Sequence, residues 1–360
     1  MKYLFYAVLL FASTAWAQED KYIALLKSDA PLKEKADACR ELARIGTRQA
    51  VPALAPLLAD EQLSHRARLA LEPIADPSVD TALRAALGKV KGPLLVGVID
   101  SLGVRKDAQA IEPLGKLLAE ADPAVAQAAA RALGRIGGAA APVLESAVST
   151  GSPAHQLAVC EGLLRCAEGM SGAAATAIYD KLRALPNQPH HVRVAALSGA
   201  IRSRGAQGVP LMVEAIRTES YVPAVDAMRV SLDLPGAEVT RALVEALAQA
   251  NEEKQLLLMQ TLGNRGDTTA IPALVPLAQQ GSARRRIAAI RSLVQLATPA
   301  SLPVLTALVK DTEPTVSSAA LTGLTGFPGG AADAAVVDLL TKSDVSMRGA
   351  VIDAVAQRRI

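Results

Sequence analysis

The sequence is poor in aromatic residues. It contains one Trp, five Tyr and three Phe in 360 residues. Proteins that bind single-stranded nucleic acid stack the bases on aromatic rings, so this class of function is disfavoured. Sugar-binding clefts built on Trp or Tyr are disfavoured for the same reason. A core made mainly of Ala, Leu, Val and Ile instead favours close packing of helix on helix.

A strong excess of charge is also missing. The chain has 38 Lys and Arg against 35 Asp and Glu, which gives a formal net charge of +3. A nucleic-acid-binding protein usually carries a large basic excess or a basic stripe. We therefore predict no nucleic-acid partner.

Cysteine is scarce, and the three cysteines cannot all pair within the chain because their number is odd. Cys160 and Cys166 are six residues apart on one predicted helix, so their side chains point in different directions. We interpret them, together with Cys39, as small buried apolar residues.

Sequence motifs for catalysis and metal binding are absent. The chain has four histidines, and none of them precedes a Glu. His190 and His191 are adjacent, so they point apart in a helix and lack an evident third ligand. There is no nucleophile elbow, phosphate loop or His-Glu-x-x-His sequence. We predict no catalytic residue, no metal site and no cofactor.

Residues 1–17 have the three-part pattern of a cleaved secretory signal peptide. A positive start at Lys2 is followed by the apolar stretch Leu4 to Ala12, which is too short to span a bilayer. The small residues Ala15 and Ala17 then predict cleavage between Ala17 and Gln18. No other stretch is long enough for a membrane span. We expect the mature chain, residues 18–360, in the periplasm or outside the cell.

The rest of the chain is organised by an internal repeat. One unit reads DPAVAQAAARALGRIGGAAAPVLESAV, from Asp122 to Val148. Prolines recur at intervals of one or two periods of about 31 residues, at Pro52, Pro113, Pro142, Pro210, Pro272 and Pro303. Proline is tolerated in the first turn of a helix, so these positions mark the starts of second helices. We count about ten helical hairpins between residues 20 and 344.

The apolar positions agree with helices that are buried on one side. Val125, Ala128, Ala129 and Ala132 follow the i, i+3, i+4, i+7 rule, and Arg131 lies on the opposite face. One hairpin of this size cannot bury enough apolar surface alone, so the hairpins must stack. The predicted fold class is all-α, an α-solenoid of about ten stacked hairpins in a HEAT/armadillo-like superhelix.

The ends and one internal segment depart from the repeat. We expect residues 18–35 to form an N-terminal cap and residues 345–360 to form a last helix without a second partner. Between Cys160 and Pro189 the period is stretched, which indicates a kink or a projecting loop. Pro56 and Pro276 fall one turn further into their helices and should bend or loosen them.

The repeat resembles the short HEAT-like repeats of the phycobilin lyases, whose pattern is roughly D-P-x-V-R-x-x-A-x-x-A-L-G-x-I-G-D-x-x-A-x-P-x-L. Residues that match are Asp122, Pro123, Val125, Ala129, Ala132, Leu133, Gly134, Ile136, Gly137, Pro142 and Leu144. The stretch from Thr261 to Leu274 matches again. The resemblance implies the architecture, whereas members of this group include lyases, a di-iron hydroxylase and scaffolds. The hydroxylases hold iron with repeated His-Glu pairs, and this sequence has none.

The lack of catalytic motifs favours a non-enzymatic scaffold that binds a protein partner and is itself monomeric. In HEAT-type stacks the second helices line the inner side, so we predict contacts from polar second-helix residues. These are Lys116, Glu120, Glu214, Arg217 and Glu245. The basic cluster Arg284, Arg285 and Arg286, with Arg291 one to two turns further on, is a further candidate, as a site for an anion or an acidic partner, or else a solvated helix start. The alternatives are an accessory module of a larger secreted enzyme or electron carrier, and a lyase-like enzyme that uses the groove.

Overall fold

The computed structural model describes residues 17–149, 152–218 and 220–360, and it contains no strand in these ranges. Residues 17–27 are helical, and we call this segment α1. The remaining α-helices are α2 (Leu32–Ile45), α3 (Val51–Leu54), α4 (Ser64–Leu71), α5 (Pro77–Leu87), α6 (Gly92–Arg105), α7 (Ile111–Leu117), α8 (Pro123–Ile136), α9 (Ala141–Ala147), α10 (Pro153–Glu168), α11 (Gly172–Ala184), α12 (His190–Arg204), α13 (Val209–Thr218), α14 (Tyr221–Ser231), α15 (Ala237–Gln249), α16 (Glu252–Arg265), α17 (Ile271–Gln279), α18 (Ala283–Leu296), α19 (Leu302–Leu308), α20 (Pro314–Gly326), α21 (Gly330–Lys342) and α22 (Val345–Arg358).

In chain order, α2 to α21 make ten successive pairs of helices. The even-numbered member of each pair is the first helix, and the odd-numbered member is the second. First helices pack on first helices, as α8 does on α6 and α10, and as α18 does on α16 and α20. The predicted all-α solenoid of about ten hairpins is confirmed.

Two compact units divide the chain, one up to Ala196 and the other from Leu197 to Ile360. The boundary falls inside α12, so no linker separates the units in sequence. Each unit has a core made mainly of Ala, Leu, Val and Ile. In the second unit that core includes Leu243, Leu262, Leu293 and Leu305, all with no exposed surface.

The ends of the helices follow from proline and from short polar side chains. Pro123, Pro153 and Pro314 each begin a first helix, directly after a residue whose side chain accepts a hydrogen bond from a main-chain N–H of the first turn. These caps satisfy N–H groups that have no partner within the helix. Second helices often follow a single 3-10 turn, at Ala108–Ala110, Gly138–Ala140, Gly205–Gly208, Thr268–Ala270 and Pro299–Ser301.

The two displaced prolines have different effects. Pro56 lies in the 3-10 helix Ala55–Ala59, and α3 is only four residues long, so loosening is confirmed there. Pro276 lies inside α17, which continues to Gln279. In the stretched segment, α10 has 16 residues, and residues 185–189 then connect α11 to α12 with Asn187 in the left-handed conformation. The repeat is therefore lengthened here by a longer first helix and by a longer loop after the second helix.

Close approach between first helices depends on glycine. A Cβ built on Gly134 of α8 would lie 2.8 Å from the Cα of Gly162 in α10. Likewise, a Cβ on Gly103 of α6 would lie 2.8 Å from the Cα of Ala132 in α8. Because the backbone itself blocks the added atom, these positions cannot take a larger side chain without moving a helix.

Among the described residues, three arginines at the ends of first helices bond to main-chain carbonyls of the previous repeat, and we call them the inter-repeat arginines: Arg105, Arg265 and Arg358. Each is the last residue of a first helix and donates hydrogen bonds to main-chain carbonyl oxygens at and beyond the end of the previous first helix. Arg105 donates to the carbonyls of Glu72 and Ile74, both at 2.8 Å. The carbonyl of Glu72, which directly follows the last residue of α4, has no donor within that helix, so the guanidinium completes the helix end.

The last turn of other first helices carries other side chains. Cys166 of α10 donates its Sγ–H to the carbonyl oxygen of Gly137 at 3.2 Å. Ile136 and Leu296 stand at the last position of α8 and α18. The last residue of a first helix is therefore an arginine in some repeats and an apolar residue in others, while in α10 the thiol lies two residues before the last residue, Glu168.

The N-terminal cap prediction covers residues 18–35. Within it, residues 17–27 are helical, and α2 already begins at Leu32. Glu19 is 2% exposed and accepts hydrogen bonds from the main-chain N–H and the hydroxyl of Thr47, at 2.6 and 2.9 Å. Residues 1–16 of the predicted signal peptide lie outside the described residues, and Ala17 and Gln18 are exposed.

Candidate binding cleft

A cleft of about 650 Å³ opens between α16 and α18 in the second unit, with α20 at its edge. We call it the α16–α18 cleft. It is lined by Leu256, Gln260, Asn264, Arg284, Ile287, Ala288, Arg291, Ser292, Gln295 and Thr315. Nine of these ten residues stand on two consecutive first helices, so the cleft runs along a groove between neighbouring repeats.

Helical spacing explains which side chains of α18 reach the cleft. Arg284, Ile287, Ala288, Arg291 and Gln295 follow steps of three and four residues, which place them on one face. The opposite side of α18 is fully buried at Ala289, Ile290 and Leu293. One helix therefore supplies both a core face and a cleft face.

The cleft has positive charge and amide groups above an apolar floor. Arg284 and Arg291 are exposed, and in the described parts of the chain they form no ion pair or hydrogen bond. No carboxylate is among the lining residues. The Nε2 of Gln295 donates to the Oδ1 of Asn264 at 2.7 Å, which links the two helices across the groove. Ile287 and Ala288 are half-buried between the two arginines.

Two further clefts lie on the same series of helices. A cleft of about 480 Å³ between α18 and α20 shares Ile287, Arg291, Gln295 and Thr315 with the α16–α18 cleft. Another of about 460 Å³ lies between α20 and α22 and shares Thr322 with the second. Its only charged lining residue is Asp353. The three clefts thus follow one another across α16, α18, α20 and α22.

The predicted basic cluster is divided by the structure. Arg284 faces the α16–α18 cleft. Arg285 donates to the carbonyl oxygen of Gln280 at 3.1 Å, and its Nε is buried. Arg286 donates to the carbonyl of Ala278 and pairs with both carboxylate oxygens of Asp311, and both partners are 13% exposed. Only Arg284 of the three is free to contact a partner at the cleft.

The predicted second-helix residues do not line this cleft. Lys116 forms an exposed ion pair with Glu112 at 2.9 Å, and its hydrogen bond lowers the pKa of that carboxyl group. Glu120 lies three residues past the end of α7, so its assignment to the second helix is wrong. Glu214, Arg217 and Glu245 are exposed on α13 and α15.

Second helices do line one cleft in the first unit. It has a volume of about 360 Å³ and lies between α5 and the segment formed by α3 and the 3-10 helix that follows it. The lining is apolar apart from Lys89. This cleft therefore does not provide the polar contact surface that we predicted for second helices.

The sequence drew attention to Arg284 but missed Gln260 and Asn264. Their position in the helix could have identified them, because both are polar residues on the face of α16 that points away from its buried side. Leu258, Met259 and Leu262 form that buried side of α16. The same reasoning applied to α18 selects Gln295, and also Arg291, which the sequence had already indicated as part of the basic cluster.

The cysteines are buried, whereas the two adjacent histidines lie at the surface. Cys39, Cys160 and Cys166 are fully buried, and burial raises the pKa of each thiol to about 11. His191 pairs with Glu161 at 3.4 Å, while His190 beside it is exposed. Among the described residues, no group of three or more His, Cys, Asp or Glu is arranged to hold a metal ion. None of the described helices is long and apolar enough to cross a membrane.

Comparison with known proteins agrees with this architecture. The family model for HEAT repeats matches residues 93–164 and 240–325. No curated protein sequence matches the chain. The karyopherin Kap121p, solved bound to the extreme C-terminus of the protein phosphatase Cdc14p, is similar with a TM-score of 0.58 and 13% identity, over 95% of this chain and 46% of that chain.

A structure of Kap95p with RanGDP is similar with a TM-score of 0.55 and 12% identity, over 95% of this chain and 57% of that chain. The chain thus spans about half the length of these two karyopherins. At such low identity the likeness shows the fold alone. With the ten hairpins and the repeat match, it leads to one conclusion: the chain is a HEAT-like repeat protein.

Proposed function

We propose that this chain is a non-enzymatic scaffold that binds a protein partner along the groove formed by α16, α18 and α20. The observation that carries the proposal is the α16–α18 cleft. Its polar side chains, above all Arg284, Arg291 and Gln260, are exposed and are not needed to hold the repeats together. Side chains that are neither buried nor paired at a groove are available for a partner.

Stacked repeats suit this role because they place equivalent positions of successive helices side by side, which builds a long surface without a separate domain. The similar fold of Kap121p, solved with a segment of another protein bound, supports the proposal by analogy. The location is part of the proposal as well: the signal pattern at residues 1–17 supports export to the periplasm or beyond.

A crosslinked pull-down from the envelope fraction of the source organism tests the proposal. The tagged chain is the bait, and it is compared with the double charge reversal Arg284→Glu and Arg291→Glu. We expect one dominant protein, recovered with the bait and reduced at least about tenfold with the reversed variant, since the reversal places like charges opposite each other at the contact, which is strongly unfavourable.

The control variant places the reversal on second helices instead, with Glu214→Lys, Arg217→Glu and Glu245→Lys together. Circular dichroism of all three baits establishes that each is folded. If the partner is lost with the second-helix variant and kept with the cleft variant, the binding surface lies on the second helices. If only a small molecule is recovered with every bait, the scaffold proposal is wrong.

A further inference from the structure

The positive charge of the α16–α18 cleft and the distance between its two arginines indicate which kind of molecule it binds. Building on the function proposed above, we infer that it binds an extended acidic segment of a protein, with two carboxylate side chains three residues apart and an apolar side chain between them. Arg284 and Arg291 are the residues that bind the two carboxylates.

Charge is the first argument. The lining contains two arginines and no carboxylate, and neither arginine has an ionic partner within the described chain. By contrast, Arg286 on the same helix is already neutralised by Asp311. A guanidinium without a partner binds a carboxylate through two parallel N–H donors, which makes it selective for this group.

The spacing of the two arginines is the second argument. Arg284 and Arg291 are seven residues apart, which on a helix is about two turns and about 10.5 Å along the axis. A polyproline II segment repeats every three residues, with a rise of about 3.1 Å for each, so side chains three apart lie on one side about 9 Å apart. The flexible arginine side chains cover the small difference.

The floor between the arginines is the third argument. Ile287 and Ala288 lie one helical turn from each arginine and are half-buried. They offer an apolar contact to the residue between the two carboxylates. Across the groove, the carboxamide of Gln260 has a donor and an acceptor that can bind the main chain of an extended segment.

The neighbouring clefts limit the length of the acidic segment. Beyond Arg291, the cleft between α18 and α20 adds Ser318 and Thr322 but no further cation. The next cleft contains Asp353, a carboxylate that repels an anion. A long polyanion such as a nucleic acid would lose its charge partners after Arg291, and the α16–α18 cleft has no aromatic ring to stack a base.

A phage-displayed library of random twelve-residue peptides, selected on the purified chain and counter-selected on the double variant Arg284→Gln and Arg291→Gln, tests the inference. We expect enriched sequences with two Asp or Glu three positions apart and an apolar residue between them. A synthetic enriched peptide labelled with fluorescein should bind the double variant more weakly by a factor on the order of ten or more in an anisotropy titration.

The matched control is the double variant Arg193→Gln and Arg241→Gln, because both arginines are exposed and lie outside the cleft. It has the same change of charge, so it should bind the peptide like the parent chain. Replacing the two acids of the peptide by Gln should weaken binding as much as the cleft variant does.

The outcomes separate this inference from the function it rests on. Peptides that lack the acidic pair, or that bind the cleft variant as tightly as the parent, overturn the inference while protein binding stands. A fluorescein-labelled twelve-nucleotide single-stranded DNA that binds more tightly than every selected peptide also overturns it. If no peptide is enriched and the pull-down recovers no protein, both proposals are wrong.

Discussion

The guanidinium of Arg358 donates a hydrogen bond to the carbonyl oxygen of Phe327, 31 residues earlier in the chain, at 2.6 Å. The same Nη1 also donates to the carbonyls of Leu324 and Thr325, at 2.8 and 2.9 Å. One side chain of α22 thus satisfies the end of α20. The exposed fraction of the Arg358 side chain is 8%, so the bonds form away from water.

Replacing this side chain should release α22 from its neighbour. For Arg358→Met we expect local unfolding of α22 to become easier by about 2–4 kcal/mol, because several carbonyl oxygens lose their donor. Hydrogen exchange followed by mass spectrometry on residues 345–358 measures the change. Arg359→Met is the control, since Arg359 is adjacent and exposed. Equal protection in both variants would show that the inter-repeat arginine contributes nothing.

Adding one methyl group at two glycines should have opposite effects. Gly134→Ala introduces a Cβ against the backbone of Gly162, so we expect about 1–3 kcal/mol of destabilisation. Gly349→Ala lies in α22 with no atom within 4 Å of the added Cβ, and should stabilise by up to about 1 kcal/mol. Urea unfolding of the two variants measures both. A stabilising effect at Gly134 would contradict the close approach of α8 and α10.

The pair between Arg286 and Asp311 should make stability depend on pH in acid. The hydrogen bond from Arg286 lowers the pKa of Asp311 in the folded chain. A carboxyl group whose folded pKa is lowered contributes stability above its unfolded pKa of about 3.9, and this contribution is lost as the pH falls through the folded pKa.

We therefore expect Asp311→Asn to reduce the free energy of unfolding at pH 6, with a smaller loss of stability between pH 5 and pH 2 than in the parent chain. Arg286→Met should flatten the same pH curve. The double variant completes a mutant cycle, and its effect should be smaller than the sum of the two single effects. Simple additivity would mean that the two side chains do not stabilise the fold as a pair.

The three thiols should be unreactive in the folded chain. Burial raises the pKa of Cys39, Cys160 and Cys166 to about 11, so the thiolate is a minor species at pH 8. Dithionitrobenzoate should therefore react slowly with the native chain and rapidly with all three cysteines in guanidinium chloride. Rapid labelling of one cysteine without denaturant would show that its helix opens readily.

The architecture could be predicted from the sequence because its signals are local. Pro142, Pro272 and Pro303 mark helix starts through a steric property of one residue type, and the structure places each at the second position of a helix. The buried face of α8 followed in the same way from the spacing of Val125, Ala129 and Ala132. Each of these patterns is weak evidence in a single repeat, but their recurrence along the chain predicts the solenoid strongly.

The candidate site was predicted only in part because it depends on neighbours that are distant in sequence. Arg284, Arg285 and Arg286 are the same residue type at consecutive positions, but successive side chains of a helix point about 100° apart. One therefore faces the groove, and the other two face the turn before α18 and Asp311. We expected second helices to supply the contacts, whereas the groove lies between first helices. Its two walls belong to separate repeats, so the sequence of one repeat does not reveal it.

The difference between an arginine and an apolar residue at the last position of first helices has a consequence for how repeats can be exchanged. A leucine such as Leu296 tolerates a small shift against the neighbouring helix, because apolar contact has no direction. An arginine such as Arg265 must meet the carbonyls of Leu234 and Gly236 and the hydroxyl of Thr240 together, which fixes the register of the two repeats. Duplication, deletion or recombination of units should therefore be tolerated at the leucine boundaries and resisted at the arginine boundaries.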